Sequence, residues 1–253
     1  MIRTLLLALA CALVFVASGA SASGAGGPGV PALSRRTVSI GLPFEGALRR
    51  GERLVETPFL RYVPEYAPTG HFFGTWELVQ LLHRAAYRVH SRVPGARLSV
   101  GELSRREGGR IAGHGSHQAG RDVDIAFYML DRSGRPFDPW AFAAFDARGR
   151  GLAPNEGLRF DDVRNWELVS RLVADAEARV QYIFVAAEIE ARLLAAGRAR
   201  RASPSLLARA ARTMVEPANG HRHANHFHLR IYCPPADRPS CRDQAPFHPW
   251  YPR

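Results

Sequence analysis

HGSHQAGRDVDIAFYM, residues 114–129, is the stretch on which the reading of this chain turns. Asp122 and Asp124 stand two apart at the start of an apolar run, so in the strand expected over Asp122–Met129 their side chains share one face. Gly115 and Gly120 allow the preceding loop to turn tightly and bring His117 beside the two carboxylates. A second window, HRHANHFH at 221–228, leads into a strand expected over His226–Tyr232. There His226 and His228 again share a face, while Phe227 points the other way, as a core residue should. Six of the ten histidines fall in these two windows, a concentration that a purely structural use of histidine does not require. Zinc prefers imidazole nitrogen and carboxylate oxygen, and a catalytic zinc site keeps three protein ligands and one open position. A His and an Asp from the first window and a His from the second supply that set. Plainer readings stand beside it. Asp122 can cap a turn or pair with Arg121 or Arg230, and a His-rich tract can collect metal without using it. The isolated His71, His83, His90 and His248 read as ordinary surface or core residues.

Outward from these windows, strands are expected at Arg97–Glu102 and Val180–Ala186 from their β-branched and aromatic content. Trp76, Val79, Leu82, Ala86 and Val89 recur at helical spacing across Thr75–Arg92, with Thr75 as N-cap and Pro94-Gly95 as the stop. Further helices are expected near Asp162–Ala178, Glu188–Ala196 and Leu206–Val215, the last opened by Ser203-Pro204. Asp131–Leu158 is rich in Gly, Pro and Asp and reads as a long surface excursion. No internal repeat and no regular βαβ rhythm occurs. The expected class is therefore α+β, a small, mainly antiparallel sheet flanked by helices with the metal site on the sheet.

At the N-terminus, Arg3, the apolar run Leu5–Ala17 and the small residues Ala20-Ser21-Ala22 have the layout of a secretory signal, so residues 1–22 are expected to be removed. Residues 23–37 form a Gly-, Ser- and Pro-rich flexible lead-in, and 38–253 one domain. The run is shorter than the roughly 20 residues a membrane span needs, and no second one follows, so the mature form is expected to have no span. Cys233 and Cys241 lie close together, and in an oxidising compartment they read as a local disulfide, in a reducing one as two thiols. Net charge is +11, which suits an anionic partner. The basic residues are all arginine and are scattered among Ala and Gly, with no stripe of interleaved aromatics, so nucleic-acid binding is not expected. The oligomeric state is left open.

Ser116-His117-x-x-Gly120-x-Asp122-Val-Asp124, with His226-x-His228 far downstream, resembles the signature of the metallopeptidase superfamily of lysostaphin-like enzymes and D-alanyl-D-alanine dipeptidases. Within it, the penicillin-insensitive murein endopeptidase family is the closest match in pattern. Supporting stretches are Ser39-Ile-Gly41, Phe73-Gly74, Gly108-Gly-Arg110, Ile183-Phe-Val185 and His228-Leu-Arg230-Ile-Tyr-Cys233-Pro, so the resemblance spans nearly the whole chain after residue 38. It implies a periplasmic enzyme that hydrolyses the D-alanyl to meso-diaminopimelate cross-link of peptidoglycan. It further implies zinc held by His117, Asp124 and His228, and His226 beside the attacking water. Cys233 and Cys241 match positions that form a disulfide in relatives. Some members carry an extra Asp and His, proposed to hold a second metal. Here Asp131 is present with no histidine near it, so one zinc per chain is expected. In that scheme His226 and His223 are the catalytic candidates, Asp122 orients a ligand imidazole, and His114 stands behind the ligands or touches substrate. Two alternatives stay open: a D,D-carboxypeptidase or dipeptidase acting on free stem peptides, and a non-catalytic wall-binding module that keeps the metal as structure.

Overall fold

A computed structural model describes residues 36–218 and 222–251. The expected signal segment 1–22, nearly all of the lead-in 23–37, and His221 lie outside the described residues. The centre of the molecule is a six-stranded sheet in the order Met214–Val215, Val180–Phe184, His226–Ile231, Asp122–Ala126, Leu98–Val100, Leu60–Tyr62. Its inner pairings are antiparallel and only the two outermost are parallel. This is the α+β class with a mainly antiparallel sheet. The His226 and Asp122 strands lie side by side in a register that sets His228 directly opposite Asp124 and Arg230 opposite Asp122. One face of the pair therefore carries the ionisable groups. Its other face carries Val123, Ile125, Phe127, Phe227 and Leu229, which join the main apolar core.

Four helices cover that apolar side: α1 (Trp76–Arg92), α2 (Asp162–Ala174), α3 (Ala187–Ala199) and α4 (Pro204–Thr213). Thr75 caps α1, its hydroxyl accepting from the Leu78 amide at 3.3 Å. Leu78, Val79, Leu82, Ala86 and Val89 form the buried stripe, while Trp76 at the first turn stays exposed. Ser203 and Pro204 open α4 as expected. The helix stops at Thr213, because Met214 and Val215 leave it to pair with Ile183 and Phe184 at the sheet edge. The expected extension of α2 to Ala178 is replaced by a turn in which the Asp175 carboxylate accepts from the amides of Glu177 and Ala178 at 3.0 and 2.8 Å. A short acidic side chain beside its own downstream amides competes well with helix continuation. The Asp122 strand likewise ends at Ala126. The Asn165 side chain takes both backbone groups of Tyr128, at 2.9 and 2.7 Å, in place of a sheet partner.

The Asp131–Leu158 segment does not stay on the surface. Ala143 and Phe145 enter the main core, and the Phe145 amide donates to the Ala224 carbonyl at 3.1 Å. This anchors the excursion beside the His226 strand. A hairpin of Val38–Leu42 and Glu45–Arg49 is clamped to the C-terminal segment. The Gly41 amide donates to Ser240, the Arg242 amide to Gly41, and the Ser39 amide to the Asp237 carboxylate. Cys233 and Cys241 are joined by a disulfide that closes this segment. The hairpin turn reaches the 114–120 loop through the Gln118 amide, which donates to the Pro43 carbonyl at 3.0 Å.

Candidate metal centre

The ionisable face of the sheet forms the floor of an open cleft of about 540 Å³, lined among others by His114, His117, Asp124, His223, His226 and His228. His117 reaches it from a left-handed backbone conformation, φ 68°, that bulky residues rarely adopt. The loop around it is locked by Ser104, whose hydroxyl donates to the His117 carbonyl at 2.7 Å and accepts from the Gly120 amide at 3.0 Å. Gly120 has φ 69°, and a Cβ there would lie 2.7 Å from Leu48, so only glycine fits this turn.

Four imidazoles aim at Asp124. Nε2 of His117, Nε2 of His226 and Nδ1 of His228 each lie 3.4 Å from its Oδ1, and Nδ1 of His114 lies 3.7 Å from its Oδ2. Each ring is held from behind through its other nitrogen. Nδ1 of His117 donates to the Leu103 carbonyl at 2.6 Å, and Nε2 of His228 to Asp122 at 2.9 Å. Nε2 of His114 donates to Glu102 at 2.7 Å, and Nδ1 of His226 to the Asn225 amide oxygen at 2.7 Å. Carbonyl and carboxylate oxygens only accept, so each inner nitrogen keeps its lone pair when the ring is neutral. Inner lone pairs fixed by outer acceptors are the usual frame of a metal-binding histidine cluster.

The electrostatics favour a cation at this point. Burial alone lowers the pKa of the His117 imidazole, yet the charges of Asp124 and Asp122 outweigh it and raise it to about 9. Burial raises Asp124, but His117 and His226 hold it well below the usual carboxylate range. Asp122 is likewise depressed against its burial, chiefly by Arg230, whose Nε donates to it at 2.7 Å, and then by His228. Nε2 of His117 and Oδ1 of Asp124 are both buried without a hydrogen-bond partner. Two such orphaned lone-pair atoms side by side fit a bound cation. Among the described residues, His114, His117 and Asp124 bring one ligand atom each within 4.8 Å of one another.

The cleft thus gathers every described residue singled out in the two histidine windows. His117, Asp124 and His228 sit together with His226 and His114, Asp122 stands behind His228, and His223 lies 5.0 Å from His226, ring centre to ring centre. Three groups carried no signal in the sequence. Glu102 bridges His114 and His71, accepting from Nδ1 of His71 at 2.7 Å, so His71 is tied to the site rather than ordinary. Burial raises the Glu102 carboxyl, but the hydrogen bonds from both histidines carry it down to about 2. Phe142, from the excursion, stacks on His226 with ring centres 4.5 Å apart and planes at 15°, and Tyr66 packs behind it at 4.9 Å.

Fold and site together define a sheet-borne cluster of imidazoles and carboxylates in an open cleft, able to hold a metal ion. Residues 39–250 match the sequence model of the penicillin-insensitive murein endopeptidase family, and the chain belongs to that family. It is 33% identical over 184 residues to the penicillin-insensitive murein endopeptidase of Klebsiella pneumoniae subsp. pneumoniae, covering 69% of this chain and 59% of the relative. The Haemophilus influenzae protein of that name is 31% identical over 183 residues, covering 69% and 56%. The chain therefore matches somewhat less than two thirds of the length of these relatives.

Proposed function

We propose that this protein is a zinc-dependent murein endopeptidase of the periplasm that hydrolyses D-alanyl to meso-diaminopimelate cross-links in peptidoglycan. The observation that carries the reading is the convergence of four back-anchored imidazoles on Asp124 in an open cleft of a chain from this family. His117, through Nε2, His228, through Nδ1, and Asp124 would hold one zinc ion. When bound, zinc supplies Lewis acidity to the scissile carbonyl and makes hydroxide available near neutral pH. His226 offers Nε2 toward the same point and accepts the proton of the attacking water. Phe142 and Asn225 fix the plane and the tautomer of that ring. The proton that His226 takes is passed on to the leaving amine, and His223 beside it assists that transfer. Asp122 orients His228 and balances Arg230, while Glu102 keeps His114 turned toward Asp124. Among the described residues no helix is long and apolar enough to cross a membrane.

The test is digestion of purified cross-linked muropeptide dimers, with products identified by mass. Dimers are expected to become monomers, with activity lost to a chelator, restored by zinc and insensitive to penicillin, since the attacking group is water. His226→Ala should retain zinc and lose most turnover, whereas His117→Ala should lose both. Cleavage confined to free stem-peptide ends would instead indicate a D,D-carboxypeptidase. Zinc binding with no cleavage of either substrate would indicate a wall-binding module.

A further inference from the structure

Beside the main cleft lies a smaller hollow of about 130 Å³ between the hairpin turn, the end of the Val180–Phe184 strand and the C-terminal segment. Phe44, Phe184 and Arg230 line both spaces, so the two adjoin, and Arg242 lines the smaller one. The acidic group of this hollow, Asp243, is already engaged. It accepts from Arg121 at 2.9 Å, from the Cys233 amide at 2.9 Å and from Arg238 at 3.0 Å. Asp122 is engaged by Arg230 Nε and His228. Arg230 thus has its Nε committed and its guanidinium set over the Phe184 ring at 5.4 Å, while its two terminal nitrogens have no partner among the described residues. The Arg242 side chain also has none. Two guanidinium edges left unfilled in a hollow of a few heavy atoms' capacity match a carboxylate, which such a fork binds with paired hydrogen bonds.

We propose that this hollow is a carboxylate subsite, formed by Arg230 and Arg242, for the residue on the amine side of the bond to be cut. The inference rests on the endopeptidase reading. In a D-alanyl to meso-diaminopimelate cross-link, the carbon that bears the scissile nitrogen also bears a carboxylate. Arg230 joins the two spaces, since the Asp122 it holds is the carboxylate that orients His228. In this proposal the carboxyl carbon, two bonds from the scissile nitrogen, enters the hollow past Arg230 while the amide lies at the metal centre. The subsite thereby selects cross-links whose amine-side residue carries a free carboxylate and sets their register in the cleft.

Two synthetic cross-linked dimers test this, identical except that the carboxylate in question is free in one and a primary amide in the other. The protein should cut the free form with a kcat/KM at least about tenfold higher, the loss expected for one charge-assisted hydrogen bond. Most of that difference should fall in KM. In Arg242→Ala the two dimers should come within about threefold of each other, and Arg242→Lys should restore part of the preference. Equal cutting of both dimers by the unmodified protein, or undiminished preference in Arg242→Ala, overturns the subsite. Calorimetric binding of both dimers to zinc-loaded His226→Ala protein reads the hollow without turnover. If neither dimer is cut, the endopeptidase reading fails; the binding arm still decides the subsite, tighter binding of the free form supporting it and equal affinities rejecting it.

Discussion

A single methyl group at position 101 should disable the candidate base without replacing any ionisable residue. Gly101 is held against the Asp122 strand by its amide, which donates to the Asp124 carbonyl at 2.8 Å. A Cβ built there would lie at ordinary contact distance, 3.4 Å, from both the carbonyl oxygen and the Cβ of Asp124, and only 2.5 Å from Cζ of Phe142. Gly101 is not among the residues with positive φ, so alanine introduces bulk and no backbone strain. Carbon atoms rest about 3.5–4.0 Å apart, and the strand side is fixed, so the Phe142 ring must retreat by about 1 Å. That ring lies between Tyr66 and His226, and its displacement breaks the stack. Gly101→Ala should cost about 1–3 kcal/mol of stability, as overpacking does. It should also lower kcat on cross-linked dimers by about tenfold or more, given how steeply rate depends on placement. Zinc content should be unchanged. The His226 ring protons, shifted by the Phe142 ring current, should move in the NMR spectrum. Adding Phe142→Ala removes the clash, so in that background the methyl should cost less than about 0.5 kcal/mol. Full kcat together with unmoved His226 resonances would refute the claim that Phe142 positions this imidazole.

Asp122→Asn keeps the shape that holds His228 but removes the charge, and zinc affinity measured by competition with a chromophoric chelator should fall about 10- to 100-fold. Opening the Cys233–Cys241 link by Cys241→Ser should cost about 2–3 kcal/mol for so short a loop, read from urea unfolding with and without reductant. Glu102→Gln gives a pH signature in the metal-free protein. The Glu102 carboxyl is depressed from 4.5 to about 2 in the fold, so its contribution is full above pH 4.5 and lost as pH falls through about 2. The stability gap between wild type and Glu102→Gln should therefore be constant above that range and narrow in acid, and a gap that widens in acid would show the assigned hydrogen bonds to be wrong.

Much of this arrangement was legible because strands encode geometry in alternation. Asp122 with Asp124, and His226 with His228, each two apart, declare a shared face before any pairing is known. The partner of each strand is not encoded that way, and the His228 to Asp124 register emerges only from tertiary pairing. Phe142 lay in a stretch whose Gly, Pro and Asp content reads as surface, because an aromatic without periodic neighbours gives no sign of what it packs on. Glu102 looked like the polar end of a strand, and nothing local announces that two histidines from 71 and 114 converge on it. The ends of α2 and of the Asp122 strand were misplaced for a similar reason. In both, a side chain, Asp175 or Asn165, captured backbone groups that propensity alone assigns to the regular element.

The pairing of His228 with Asp122, 106 residues apart in sequence, bears on when the candidate site can form. The His226 strand inserts between the two strands already made from earlier sequence, and it brings two of the clustered imidazoles with it. No truncated or partly folded chain ending before residue 226 holds the set, and local structure cannot substitute for a contact of such long range. Completion of the sheet is thus what assembles the cluster: its imidazoles and carboxylates come together only when the His226 strand stands between the Val180 and Asp122 strands.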